Sequence, residues 1–468
     1  MFKEPTTLKP SFREAGFILL LIIALISFGV IKGGLAPQIP IAASVVVLLI
    51  YGKIKGIGYK VMEKGMIQGA SSSLGAVFIF IFIGMLISSW MMSGTIPTLM
   101  YYGFNYLPGS SFYASAFLIS SLVGLCIGSS FTTSATIGVA FIGMAGAMDI
   151  SAAVTAGAVV SGAYLGDKMS PLSDTCNLAS ETVGVNLFEH VRNMLWTTIP
   201  GFIISFVVYW LISPAADIGR AKDIHVFLES LQKETHISLF ALIPFVLTGI
   251  LALRKIPAVP VLASGTAAAL AVSFFQSKQT LTQACSVLFS GYKLDSGVKQ
   301  LDSILSRGGI ESMMFSISLV LLALAMGGLL FQLGIIPALL EKAAGQLVDS
   351  GRLITATVLA SIGVNVLIGE QYLSILLPGK TFLDSYIKAG LTGKTLSRAL
   401  EDGGTVVNAL IPWGVSGVFL TQVLGVSTIE YAPYALFCLI CPVLSVISGF
   451  SGIGISFSRS KAPQKVRA

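Results

Sequence analysis

Residues 65–148 read GMIQGASSSLGAVFIFIFIGMLISSWMMSGTIPTLMYYGFNYLPGSSFYASAFLISSLVGLCIGSSFTTSATIGVAFIGMAGAM, 84 residues without one Asp, Glu, Lys, Arg or His. A helix needs about 20 apolar residues to cross about 30 Å of hydrocarbon. This one stretch therefore has room for several membrane segments. Working outward, further uncharged runs lie at 193–216, 256–277, 312–340, 403–429 and 431–458. The whole chain of 468 residues is 54% hydrophobic and 11% charged, where soluble domains carry roughly a quarter charged. Too few charges remain to cover a soluble surface of this size, which excludes a soluble enzyme, a disordered chain and a disulfide scaffold. A transmembrane barrel needs segments that alternate in polarity, and Phe78-Ile79-Phe80-Ile81-Phe82-Ile83 does not alternate. The class is an all-α polytopic membrane protein.

The formal charge of +7 follows the same logic. Lys3, Lys9 and Arg13 open the chain, Lys53, Lys55, Lys60 and Lys64 form a loop, and Arg459, Lys461, Lys465 and Arg467 close it. These are cytoplasmic flanks under the positive-inside rule, not a nucleic-acid surface. Both termini are expected in the cytoplasm of a cell (plasma) membrane protein, and the uncharged loop 93–111 outside. The loop 276–310 fits this orientation poorly, because it would lie outside while carrying Lys278, Lys293, Lys299 and Arg307. The apolar run 17–31 has no small-residue cleavage site after it and reads as an uncleaved first helix. Cys438 and Cys441 stand C-x-x-C inside an apolar segment and read as packing residues. The three histidines form no metal-like pattern, and His190 and Arg192 read as loop residues.

The chain also repeats itself. G-T-I-P-T-L at 94–99 returns as G-I-I-P-A-L at 334–339. At an offset of 241, Gly128 matches Gly369, Gly162 matches Gly403, Pro171 matches Pro412 and Gly184 matches Gly425. Two such halves suggest a secondary transporter whose site is built from discontinuous helices near the midplane. The expected layout is two inverted repeats, each of about five transmembrane helices plus a re-entrant hairpin, one helix being broken. The first repeat spans 1–214, with crossings at 15–32, 37–52, 71–92, 150–188 (broken) and 196–213. A connecting loop spans 215–236. The second repeat spans 237–458, with crossings at 237–253, 257–275, 311–333, 391–428 (broken) and 431–457. The hairpins fall at 112–148 and 353–390, and 459–468 is a basic cytoplasmic tail.

Irregular backbone at membrane depth should line an enclosed or watery cavity. Two stretches qualify: G-S-S-F-T-T-S at 128–134 and G-D-K-M-S-P-L-S-D-T at 166–175. In the second, Pro171 removes a backbone donor and disfavours helix at Ser170. Their repeat partners hold Glu370 and Gln371, and Asn408. Oxygen-rich surroundings suit a hard cation such as Na⁺. Candidate Na⁺ and substrate ligands are Ser129, Ser130, Thr132, Thr133, Ser170, Ser173, Thr175, Gln371 and Asn408, with Na⁺ itself on Asp174 and Ser173. Competition between Na⁺ and a proton for one carboxylate is the simplest exchange mechanism, and carboxylates inside a membrane are costly enough to imply a role. The candidates are Asp167, Asp174, Glu370 and Asp402. Against them stand an Asp167–Lys168 pair at a helix end and an interfacial cluster of Arg398 with Glu401 and Asp402. Lys168 reads as a counter-ion, a substrate contact or a snorkelling residue.

G-D-K-M-S-P-L-S-D-T-C-N-L-A at 166–179, together with S-S-F-T-T-S-A-T at 129–136, resembles the signature of the NhaC-type sodium/proton antiporter family within the ion-transporter superfamily. The motif match marks Asp167, Ser170, Ser173, Asp174 and Thr175. The resemblance implies a secondary active antiporter exchanging Na⁺ for H⁺, not an enzyme, with no cofactor beyond the transported ions. Within the family the chain is also similar to the malate-2H⁺/Na⁺-lactate branch. That likeness implies malate and H⁺ entering as lactate and Na⁺ leave; the alternative is plain Na⁺/H⁺ exchange. Partners are then Na⁺, H⁺, malate and lactate and the lipid bilayer, without nucleic acid; a homodimer fits the same reading. No G-x-x-x-x-G-K-[ST] phosphate loop is present to drive a pump. A channel or scaffold and an intramembrane enzyme are the competing classes, and the isolated carboxylates and missing nucleophile–base pair speak against them.

Overall fold

A computed structural model describes residues 7–72, 74–106, 109–214, 227–254, 256–277, 279–344 and 349–457. Among them, regular structure is helical apart from one isolated bridge between Leu391 and Phe457. In the first part of the chain run α1 (Phe12–Ser27), α2 (Gln38–Ile54), α3 (Tyr59–Ser71), α4 (Leu74–Met92), α5 (Thr95–Tyr106), α6 (Phe112–Ile127), α7 (Ser130–Ala147), α8 (Ala152–Met169), α9 (Asp174–Val183) and α10 (Leu187–Ile212). The second part holds α11 (Ile243–Leu253), α12 (Ala258–Gln276), α13 (Ile310–Gln332), α14 (Ile335–Ala344), α15 (Ser350–Ile368), α16 (Gln371–Lys388), α17 (Gly393–Leu400), α18 (Val415–Leu424) and α19 (Leu436–Ser451).

Outer helices bury one face and leave an apolar one outward. In α1 Ala15, Ile18, Ile22 and Ile26 recur at helical spacing and are buried, while Phe17 and Leu20, and Phe28 just past its end, are exposed. In α10 the exposed row is Trp196, Ile199, Ile203, Val207 and Leu211. Each such side chain left in water would forgo about 1.5–3 kcal/mol of burial; lipid removes that cost. Seven of the described helices are long and apolar enough to cross a membrane, or up to 9 if each of two bent pairs is one span. This is fewer than the ten crossings expected. Gln38–Ile54 and Val415–Leu424 are apolar but shorter, whereas the hairpin legs Ser130–Ala147 and Ser350–Ile368 reach spanning length.

Helix bounds recur along the chain. α7 and α16 are displaced by the 241-residue offset at both ends, and so are α9 and α18. Gly128 and Gly369 close α6 and α15 in the left-handed region, at φ 72° and 76°, and each donates its N–H to a carbonyl one turn back at 2.7 Å. Only glycine takes this conformation without strain.

Three expectations need correction. The last crossing of the first half starts at Leu187, not 196, because Asn186 caps it with Oδ1 accepting from Phe188 N at 2.9 Å. His190 and Arg192 are therefore helical, and His190 is fully buried. The loop 215–236 is helical over Phe227–Glu234, which bends 88° into Leu239–Leu253, while 215–226 lies outside the described residues. The tail 459–468 and Lys278 also lie outside them.

A close glycine contact between α6 and α8 positions the motif at 166–175. Gly124 of α6 faces Gly162 and Gly166 of α8, and a Cβ on Gly166 would stand 2.2 Å from the Gly124 carbonyl carbon. Gly166→Ala should therefore push α8 off α6 and lower stability by about 1–3 kcal/mol, the usual cost of overpacking. Thermal unfolding in detergent checks this; Gly16→Ala, where a Cβ meets nothing within 4 Å, should leave the melting temperature unchanged.

Candidate functional site

Four helix N-termini meet at one cavity of about 650 Å³. They belong to α7 with cap Ser129, α9 with cap Ser173, α16 with cap Glu370, and α18 with cap Gly414. The chain arrives at each through a break that local sequence explains. Gly128 and Gly369 turn left-handed, Pro171 follows the end of α8 at Ser170, and Pro412 lies in the gap before α18. The Gly369 carbonyl accepts from Val415 N at 2.7 Å, tying two of the breaks together.

Asp167, Asp174, Glu370, Gln371, Ser129, Ser130, Thr132 and Thr175 all line the cavity. Thr133, Ser170, Ser173, Asn408 and Asp402 are not among its lining residues. The Asp167 carboxylate is nearly buried and accepts from the hydroxyls of Ser130 and Ser173, each at 2.6 Å. Ser173 also contacts the Thr175 hydroxyl at 2.9 Å and caps α9. One Asp167 oxygen thus answers to α7 and the other to the start of α9. Asp174 is solvent-exposed, and the Tyr372 hydroxyl reaches it at 3.5 Å. Glu370 is buried and spends one oxygen capping α16, accepting from Leu373 N at 2.8 Å. Asn408 bridges Asn365 Oδ1 at 2.8 Å and Ser416 N at 3.0 Å, so it braces the break before α18 rather than facing the cavity. Among the described residues, no Lys, Arg or His lines the cavity. Negative charge there is met by helix N-termini and hydroxyls, as the partial positive charge of such termini allows.

Asp402 lies elsewhere, in a π-helical turn Glu401–Thr405. Wide turns of this kind often occur at functional positions. Asp402 Oδ1 stands 2.5 Å from Lys168 Nζ, with both side chains at 0% exposure. Lys168 also donates to Thr197 Oγ1 at 2.9 Å and lies over the Phe437 ring at 5.6 Å. Of the three readings of Lys168, the structure selects counter-ion. The alternative Asp167–Lys168 pair is not formed: Asp167 is held by Ser130 and Ser173, and Lys168 by Asp402. The interfacial cluster is also corrected, since Arg398, Glu401 and Asp402 are fully buried, and Arg398 donates to Gly454 O and Ser448 Oγ. Sequence reasoning missed the Lys168–Asp402 pair because its members are far apart in the chain.

The Na⁺/H⁺ antiporter family model matches residues 162–453. The chain is 42% identical to the Na⁺/H⁺ antiporter NhaC of Alkalihalophilus pseudofirmus, covering 96% of this chain and 98% of that protein. It is 39% identical to the Na⁺/H⁺ antiporter NhaC of Bacillus subtilis, over 85% and 88% of the two chains. It is 31% identical to the malate-2H⁺/Na⁺-lactate antiporter of Bacillus subtilis, over 91% of each. The matched span begins at Gly162 of α8 and takes in the starts of α9, α16 and α18 at the cavity, while α7 precedes it. The chain belongs to the Na⁺/H⁺ antiporter family.

Proposed function

We propose that the chain exchanges Na⁺ for H⁺ at the cavity beside Asp167. The observation that carries this is a nearly buried carboxylate held by two hydroxyls at the meeting of two helix breaks. Deprotonated, Asp167 offers Na⁺ an anionic oxygen with hydroxyl oxygens of Ser130, Ser173 and Thr175 close by; hard cations favour such a set. Protonated, it has no charge left to hold the ion, and the two cargoes exclude each other. Glu370 lines the same cavity and is the second carboxylate in this reading, while Asp174 serves at the exposed rim. Recurring helix bounds support two repeats, and inversion between them is the frame in which such a site alternates its access. The basic ends of the sequence support cytoplasmic termini in a plasma membrane.

In everted vesicles carrying a pH-sensitive dye, added Na⁺ should collapse the respiration-driven proton gradient; an unchanged gradient would count against the reading. Asp174→Asn should raise the Na⁺ concentration needed for half-maximal exchange and leave the maximal rate close to wild type, because its carboxylate is exposed. Loss of the maximal rate instead would move the coupling site to Asp174.

A second reading adds small carboxylates, malate entering as lactate leaves. Its support is the malate/lactate relative and the four helix N-termini, which suit carboxylates. The described lining residues carry no basic side chain, which weighs towards ions alone, since a dicarboxylate is usually met by Arg or Lys. Radiolabelled malate and lactate exchange in proteoliposomes, with Na⁺ and pH varied separately, separates the two. Label uptake coupled to Na⁺ would establish the organic cargo.

A further inference from the structure

Behind the Lys168–Asp402 pair lies a cluster that the exchange reaction leaves unused. Cys176 of α9, His190 of α10 and Glu401 of the π turn bring one donor atom each within 4.8 Å of one another, and all three are buried. Their hydrogen bonding is incomplete in one consistent direction. His190 Nδ1 contacts Ser397 Oγ at 2.8 Å. That hydroxyl donates to the Lys394 carbonyl at 3.2 Å, so it accepts from Nδ1–H and leaves Nε2 as a bare lone pair. Nε2 has no partner, and the Thr405 hydroxyl one turn on is the candidate donor facing Glu401. Cys176 Sγ donates to the Lys168 carbonyl at 3.0 Å. Nε2 and the Glu401 carboxyl thus lie buried with fewer donors than acceptor sites. Buried acceptors left unmet are costly.

We propose that Cys176, His190 and Glu401 form a binding site for a transition-metal ion of the Zn²⁺ or Co²⁺ type. Thiolate, imidazole and carboxylate are the ligand set such ions take, three protein donors leaving a fourth tetrahedral position open. Na⁺, Mg²⁺ and Ca²⁺ prefer oxygen alone and should not compete. The Ser397 contact on Nδ1 is the outer support that aims a ligating imidazole. Binding releases the Cys176 thiol proton to solvent. The divalent ion with one thiolate and one carboxylate is electroneutral, so binding leaves no net charge in this buried place. The nearest cation, Lys168, is already neutralised by Asp402.

The ligands come from α9 and α10 on one side and from the turn after α17 on the other. A bound metal fastens the two parts of the chain together and arrests exchange. This last step rests on the antiport reading; the binding does not.

The test titrates the purified full-length chain in detergent with Co²⁺. One ion per chain should bind, giving the near-ultraviolet thiolate-to-metal band and the visible bands of a tetrahedral site, and Zn²⁺ should displace it. Cys176→Ser should abolish the thiolate band, and His190→Gln and Glu401→Gln should each weaken binding at least tenfold, all three eluting as the wild type does in size exclusion. No stoichiometric binding, or a thiolate band surviving in Cys176→Ser, overturns the site. In vesicles Zn²⁺ should slow Na⁺-driven exchange by wild type and not by Cys176→Ser. Inhibition equal in both would overturn the arrest while leaving the spectroscopic result standing, and absence of exchange without Zn²⁺ would fault the antiport reading alone.

Discussion

Asp167→Asn should reduce Na⁺-driven proton movement to the background of vesicles without the protein, while the chain still folds. Both halves of this expectation come from the same contacts. The two oxygens of Asp167 each accept one hydroxyl proton at 2.6 Å, from Ser130 and from Ser173. In asparagine one position remains a carbonyl oxygen and still accepts. The other becomes an NH₂ group, and a serine hydroxyl can turn to accept from it. The brace between α7 and the start of α9 therefore survives, and the change in stability should stay within about 1–2 kcal/mol, the scale of one or two neutral hydrogen bonds. What vanishes is the negative charge and the proton that neutralises it. An amide neither titrates nor attracts Na⁺ as a carboxylate does, so the competition that couples the two ions has no place to occur. The checks are dye dequenching in everted vesicles beside a thermal unfolding curve of the purified variant. Substantial exchange in a folded Asp167→Asn protein would move the coupling to Glu370, the other buried carboxylate at this cavity. Asp167→Glu keeps the charge but lengthens the side chain by a methylene, and should retain slow exchange.

How much of this was legible in the sequence depends on how local each signal is. The uncharged run 65–148 identified the membrane class because hydrophobic length is a property of consecutive residues. The break at 170–173 was legible because proline acts on its own neighbours, and that break carries Ser173 to Asp167. Gly128 and Gly369 could be paired because the left-handed helix end demands the same residue wherever it recurs. His190 was misread because Glu189 and Arg192 beside it look like loop charges. They lie on the exposed side of the first turns of α10, whereas His190 points inward. Lys168–Asp402 and Cys176–Glu401 are more than two hundred residues apart. Nothing at either end of such a pair specifies the other, since the encounter is fixed by how broken helices pack. Neither does composition tell which carboxylate keeps a free oxygen: Asp402 and Asp167 look alike until one is found against an ammonium and the other against two hydroxyls.

That difference leads to the second large effect. Asp402→Asn should destabilise the protein by about 3–5 kcal/mol, because it strands the fully buried Lys168 ammonium without its counter-charge. Lys168 would keep the Thr197 hydroxyl and the face of Phe437, which do not neutralise a full charge. Lys168→Met paired with Asp402→Leu removes both charges and fills their volume with apolar atoms. Replacing a buried ion pair in this way is often neutral or stabilising by about 1–4 kcal/mol, so the double variant should unfold near the wild-type temperature while Asp402→Asn alone unfolds far below it. The non-additivity measures the coupling between the two residues. Exchange by the stable double variant then separates two roles. Lys168 follows Asp167 directly on the last turn of α8, and its partner sits on the turn that leads to the other broken helix, so the pair joins the two segments that an alternating site must shift against each other. We expect the double variant to fold and to exchange at no more than a small fraction of the wild-type rate. Wild-type exchange would reduce the pair to a fastening within the fold, and would leave Asp167 and Glu370 to carry the coupling without it.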